Sequence, residues 1–238
     1  LGSSICMDKE VARLLLASAG IPVVKTLAVS KEDMNPGIVD LAEKTFGYPY
    51  FVKPANMGSS VGVHKVKDRS TALKFLNDAF QYDLKVLIEQ GVDARELECS
   101  VLGNEKPRAS IVGEIVPKHE FYSYEAKYID ENGADLLIPA TDLAPDLIEK
   151  IQKYSVEAFR VLQCRGMARV DFFLDRKTGQ LYLNELNTIP GFTSISMYPK
   201  LWAATGVPYP QLLDELIRRA IDYHSRKSAL KTTYEPQG

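Results

Sequence analysis

A chain of 238 residues, 45% hydrophobic and 25% charged, can bury a substantial core as one large domain or two small ones. Its net charge of −2 gives no general attraction to nucleic acid or an anionic membrane, so any phosphate binding has to be local. Three widely spaced cysteines, no signal-peptide pattern and no apolar run near the ~18 residues of a membrane span make the cytoplasm the expected location.

The spacing predicts a helix over Met7 to Ala19, with Met7, Val11, Leu14 and Leu15 on its apolar side and Gly20 and Pro22 as stop signals. Lys9 falls in its first turn, where the helix dipole disfavours a cation unless an anion is near. A strand from Val23 to Val29 and a helix from Ile38 to Phe46, closed by Gly47, come next. Tyr50 to Val52 reads as a strand ending at Lys53-Pro54, followed by a small-residue loop to Ser60 and a strand from Val61 to Val66. In that loop Gly58, Ser59 and Ser60 let backbone N–H groups approach phosphate oxygens, although an ordinary hairpin turn fits as well. No Gly-Lys-Ser/Thr opens a helix here, which excludes a Walker A motif, and the place of the loop between strands excludes a nucleophile elbow.

A helix carrying Ala72, Phe75, Leu76, Ala79 and Phe80 precedes a strand, Leu84 to Ile88, that runs into Glu89-Gln90-Gly91-Val92. Glu96 and Glu98 alternate with Leu97 and Cys99 in the next strand, and Ser110 to Val116 forms another. Pro117 to Ala140 has no sustained period but holds four aromatics, and is expected to be an ordered lid or Ω-loop carrying Lys127 and Tyr128. A long amphipathic helix runs from Leu147 to Leu162. The last helix is expected to bury Leu212, Leu213, Leu216, Ile217, Ala220 and Ile221, with a loose tail after Tyr223.

Between these helices, Ala168 to Asn187 reads as a hairpin around the turn Asp175 to Gly179. Arg169, Asp171 and Phe173 alternate with Val170, Phe172 and Leu174. On the return strand strict alternation puts Leu181, Leu183, Glu185 and Asn187 on one face. A register pairing Asp175 with Leu181 sets Asp171 across from Glu185, with Cβ atoms roughly 5 Å apart. Two carboxylates that close repel unless a cation lies between them or one is protonated. With the Asn187 amide oxygen they make an all-oxygen site suited to Mg²⁺; a solvated hairpin face is the plainer alternative.

MDK at 7–9, FVKPANMGSSVGV at 51–63, VLIEQGV at 86–92, FYSYEAKY at 121–128, ARVDFFLD at 168–175 and NELNTIPGFTSISMYP at 184–199 together resemble the D-alanine–D-alanine ligases of the ATP-grasp superfamily. The resemblance implies an α+β, ATP-grasp fold: two α/β subdomains with mainly antiparallel sheets enclosing the nucleotide. It places a central subdomain at 1–91, a C-terminal subdomain with hairpin and lid at 92–224, and a tail at 225–238. Lys9 and Lys53 would hold ATP phosphates under the loop Gly58 to Ser60, with Ser59 also counted as catalytic. Glu89, Gln90 and Val92 would border the nucleotide base, Glu96 would bind ribose, and Asn184 and Lys127 would also bind the nucleotide. Asp171, Glu185 and Asn187 would bind two Mg²⁺ ions, which Mn²⁺ could replace. Arg169 would face the transferred phosphate, Lys127 and Ser196 the carboxylate of the second D-alanine, and Gly191 would bound the acyl-phosphate site. Tyr128 favours D-alanine over D-lactate as second substrate. D-lactate or D-serine ligases and a non-catalytic nucleotide-binding fragment are the alternatives. The family pattern includes a preceding α/β domain that nothing here matches, so weak ligase activity of this chain alone is expected, as is a homodimer for a full-length protein.

Overall fold

The computed structural model describes residues 1–118, 134–193 and 195–233. Among these, a four-stranded antiparallel sheet has the order β1-β4-β2-β3, with β1 at Thr26–Ser30, β2 at Tyr50–Pro54, β3 at His64–Val66 and β4 at Lys85–Gln90. A five-stranded antiparallel sheet has the order β7-β6-β5-β8-β9, with β5 at Ala94–Gly103, β6 at Arg108–Pro117, β7 at Ala134–Leu137, β8 at Gly166–Asp175 and β9 at Leu181–Asn187. The fold is α+β as expected.

Each sheet buries a face under helices. Val39 and Ala42 of α3 (Gly37–Phe46) and Ala72, Leu76 and Ala79 of α4 (Arg69–Ala79) join Val52, Val86 and Ile88 in the smaller core. In the larger core Leu97, Cys99, Val170 and Phe172 meet Ile151, Ala158 and Phe159 of α5 (Pro145–Val161). Burying one side chain of this kind contributes about 1.5–3 kcal/mol, so these two layers dominate the fold's stability. The other face of the large sheet carries α6 (Met197–Ala204), whose buried Tyr198 and Trp202 pack with Leu102. The polar row of β8, Arg169 and Asp171, lies on that second face, since Val170 and Phe172 point into the first.

The predicted first helix forms over Lys9–Ser18, and a short helix that was not expected precedes it. α1 (Gly2–Met7) stops at Asp8, whose carboxylate accepts hydrogen bonds from the Glu10 and Val11 amides and caps α2 (Lys9–Ser18). The covered side is not the expected one: Ala12, Arg13 and Leu16 are buried, whereas Met7, Val11 and Leu14 are exposed. Ala12 and Leu16 belong to the larger core, while the Lys9 amide donates to Ala55 O at 3.2 Å beside the smaller sheet. Lys85 adds ion pairs of 2.6 and 2.7 Å to Asp8 and Glu10. α2 therefore joins the two sheets.

Other differences have local causes. Val61 to Gly62 stay in a turn, so β3 is short, and Val23 makes only an isolated bridge to Leu183. Residues 134–137, expected within an irregular loop, pair with β6 as β7, because β6 offers a free ladder edge there. The last helix, α7 (Tyr209–Ser228), buries only Leu212; Ile217 and Ile221 are 57% and 61% exposed, so it is a surface helix and not a core one. It also runs past Tyr223, held by Arg226 to Glu105 at 2.8 Å. The Cys6 and Cys164 thiols, 158 positions apart, meet at 3.4 Å in the larger core. None of the helices among the described residues is long and apolar enough to cross a membrane.

Candidate active site

The hairpin pairs Asp171 with Glu185 and Arg169 with Asn187. At the turn, however, Leu174 pairs with Leu181, one residue away from the predicted register, and a bulge between Asp171 and Phe172 restores the expected pairing. Asn184 is the extra residue. The bulge also reverses the alternation, so Leu181 and Leu183 share the buried face with Leu186 and not with Glu185 and Asn187. Bulges of this kind re-aim side chains, and here one turns Asn184 and Glu185 toward α2 together.

Arg169 grips Asp171 through two 2.7 Å hydrogen bonds, and its Nε lies 3.0 Å from Glu98 Oε2. Burial opposes its charge, but Asp171 and then Glu98 outweigh this and hold its pKa well above the ordinary value. The Asn187 amide nitrogen donates to Asp171 at 3.0 Å and Glu185 at 3.4 Å. No group of three or more His, Cys, Asp or Glu side chains among the described residues could hold a metal, so a cation site here rests on two acids and an amide. Those hard oxygen donors fit Mg²⁺, provided the Asn187 amide turns over to present its oxygen.

Facing the acids are the lysines. Lys9 Nζ donates to Met57 O at 2.6 Å and stands 3.9 Å from Glu185 Oε2. Lys53 Nζ lies 2.8 Å from Glu89 Oε1, and Arg13 donates to the same oxygen. Burial is the largest influence on both groups. It pulls Lys53 down to about 8, with Arg13 pushing the same way, whereas Glu89 falls to about 2 because Arg13 and Lys53 overcome its desolvation. The Glu89 side chain is thus committed to Lys53 and Arg13.

Sequence reasoning missed Arg13 and Glu98. Arg13 bonds Thr26 Oγ1 at 2.8 Å, Glu89, and the bulge residue Asn184 at 3.2 Å. The available signal was its spacing from Lys9, since residues four apart share a helix face. Glu98 lies opposite Asp171 on β5.

The small-residue loop bends through left-handed Ser59 (φ 54°), Ser60 (φ 60°) and Gly62 (φ 68°). For serine such φ values cost about 1–3 kcal/mol each and cluster at ligand clamps. Gly191 and Ser196 also meet: a Cβ on Gly191 would lie 2.6 Å from Ser196 Oγ, which accepts from the Thr193 amide at 3.1 Å. Glu96 sits on β5 in the same alternating row as Glu98. Lys127 and Tyr128, with most of the expected lid, lie outside the described residues.

Two antiparallel sheets joined through α2, with Lys53 on one, Lys9 on the joining helix and the Asp171–Glu185 pair on the other, define an ATP-grasp protein. Residues 15–218 match the model of the D-ala D-ala ligase C-terminus, and the chain belongs to that family. It is 52% identical over 228 residues to a D-alanine–D-alanine ligase of Thermoanaerobacter sp. (strain X514), covering 95% of this chain and 63% of that protein. The structure of the D-alanine–D-alanine ligase from Coxiella burnetii superposes with a TM-score of 0.84 at 38% identity, covering 95% of this chain and 60% of that one. The VanG D-Ala:D-Ser ligase from Enterococcus faecalis gives 0.82 at 33% identity, with coverages of 92% and 62%. The chain thus spans less than two thirds of these relatives.

Proposed function

We propose that this chain is the nucleotide- and metal-binding part of an ATP-dependent D-alanine–D-alanine ligase that supplies D-alanyl-D-alanine for the cell wall. The observation that carries the reading is the approach of Lys9, on the helix joining the sheets, to Glu185 in the acid pair. Cations for phosphates and donors for a divalent metal thus line one cleft. Residues 1–91 and 92–224 serve as its two walls.

In this reading Lys53 and Lys9 bind ATP phosphates, the loop at Gly58 to Ser60 covers them, and Glu96 takes the ribose. A carboxylate oxygen of one D-alanine attacks the γ-phosphorus; the bond to the β-phosphate oxygen breaks, giving D-alanyl phosphate and ADP. The amine of the second D-alanine attacks the acyl carbon, loses a proton, and inorganic phosphate leaves. Arg169 stabilises the oxyanion and the departing phosphate. Asp171, Glu185 and Asn187 would hold two Mg²⁺ ions, or Mn²⁺, which supply charge neutralisation at the transferring phosphoryl group. Ser196 and Lys127 would orient the second carboxylate, Gly191 would leave room for the acyl phosphate, and Tyr128 would favour D-alanine as the second substrate.

Release of phosphate from ATP with D-alanine alone, then with D-serine or D-lactate added, tests the assignment in the protein extended by the segment its relatives carry. Stimulation by D-serine or D-lactate but not D-alanine would replace it with the depsipeptide or D-serine reading, which the VanG likeness keeps in view. The 238-residue chain itself is expected to bind ATP and to make little dipeptide; robust synthesis by it would overturn that part.

A further inference from the structure

We infer that Glu98 is a positioning residue for Arg169, holding its guanidinium in place when Asp171 turns to a bound cation. The inference rests on the metal reading above and extends it to a residue with no assigned role.

The register places Glu98 across from Asp171 on one side, and Glu185 across from Asp171 on the other. Three carboxylates therefore run in a row over β5, β8 and β9, on the sheet face that carries α6. Like charges on neighbouring strands repel, and the row needs cations to persist. Arg169 supplies one, shared between two of the acids. Its Nε donates to Asp171 Oδ1 at 2.7 Å and makes an ion contact of 3.0 Å with Glu98 Oε2, while NH2 donates to Asp171 Oδ2 at 2.7 Å.

The three acids differ in exposure. The Glu98 side chain is 5% exposed, against 15% for Asp171 and 29% for Glu185. A cation arriving from the cleft meets Asp171 and Glu185 first, and Glu98 lies behind them. Once Asp171 oxygens are committed to that cation, Arg169 loses its bidentate anion and is repelled by the new charge. A guanidinium released there would leave the place where phosphate charge develops. Glu98 prevents this, because drawing a guanidinium away from a carboxylate only 5% exposed is costly. Arg169 thus has one counter-ion that it surrenders and one that it keeps.

The arginine Nε–H resonance of Arg169 reads this directly. In the ¹⁵N-labelled chain, assigned with Arg169→Lys, ADP is added and MgCl₂ is titrated to saturation. The wild-type signal is expected to shift and persist. In Glu98→Gln the signal is expected without Mg²⁺, where Asp171 holds it, and to vanish into solvent exchange at saturation. Glu98→Asp, which keeps the charge on a shorter stem, is expected to exchange at least ~5-fold faster than wild type, in line with ordinary coupling energies, and carries the comparison if Glu98→Gln does not fold. Loss of the wild-type signal on adding Mg²⁺, or persistence in the variants at the wild-type rate, overturns the inference while leaving the metal site standing. Spectra that Mg²⁺ leaves unchanged in every protein overturn the metal site, and the inference with it.

Discussion

Lys53 and Glu89 stand side by side on β2 and β4, 2.8 Å apart and both largely buried. The lysine titrates at about 8, below its ordinary 10.5, because burial and Arg13 outweigh the attraction of Glu89. Its folded value lies below its unfolded one, so the unfolded chain binds more protons between them. From this group alone, fold stability rises as pH climbs from about 8 toward 10.5. Phosphate binding responds in the opposite sense, since it needs the ammonium. ADP affinity measured by calorimetry is expected to fall above pH about 8, approaching about tenfold per unit, and to lose this dependence in Lys53→Met. A flat wild-type profile from pH 7 to 10 would refute the phosphate role.

Glu89 carries the complementary acid-side prediction. Its pKa is depressed from 4.5 to about 2, so its contribution is present above pH 4.5 and lost as pH falls toward 2. Glu89→Gln strands two buried cations and is expected to cost about 3–5 kcal/mol by denaturant unfolding at pH 7. The gap to wild type should narrow between pH 4.5 and 2, where the native carboxylate is itself protonated. A gap independent of pH would mean that packing, not charge, explains the loss.

Arg13 is where the two sheets exchange contacts through one side chain, reaching Glu89 on β4 and Asn184 on β9. Arg13→Met is expected to destabilise the chain by about 3–5 kcal/mol, because Glu89 is left with one cation. Asn184→Ala alone should cost about 1 kcal/mol. In the double variant the Asn184 increment should disappear, since its bond to Arg13 is already gone. Full additivity of the two losses would show that Asn184 acts elsewhere.

Much of this was legible in the residues, and the misses have causes. The hairpin's acid pair is readable because alternation and charge point the same way at Asp171 and Glu185. That reading used an unbulged register that is wrong at Leu181 and right at Glu185, since no side chain announces the extra residue at Asn184. α2 was harder. Met7, Val11 and Leu14 form a regular apolar stripe, yet Ala12, Arg13 and Leu16 face inward, two of them into the larger core. Periodicity reports which residues share a side, but not which side is covered. The same ambiguity misplaced Ile217 and Ile221 on α7. Glu98 escaped notice because its significance lies in cross-strand neighbours far away in the chain.

Gly191 offers a last test, since the absence of a side chain there has a specific neighbour. A Cβ at this position would lie 2.6 Å from Ser196 Oγ and 3.4 Å from Ser196 Cβ. Gly191→Ala must therefore displace the hydroxyl that bonds Thr193 at the start of α6. Both residues lie at the surface of the loop, so the cost in stability should be about 1 kcal/mol or less. The effect on function should be larger. If Ser196 orients the second amino acid, Gly191→Ala in the extended protein raises KM for that substrate about tenfold or more while leaving ATP binding unchanged. Adding Ser196→Ala removes the clash and should recover the lost stability, but not the KM, because the hydroxyl is then missing rather than displaced. Recovery of KM by the second substitution would show that Ser196 obstructs the site instead of serving it.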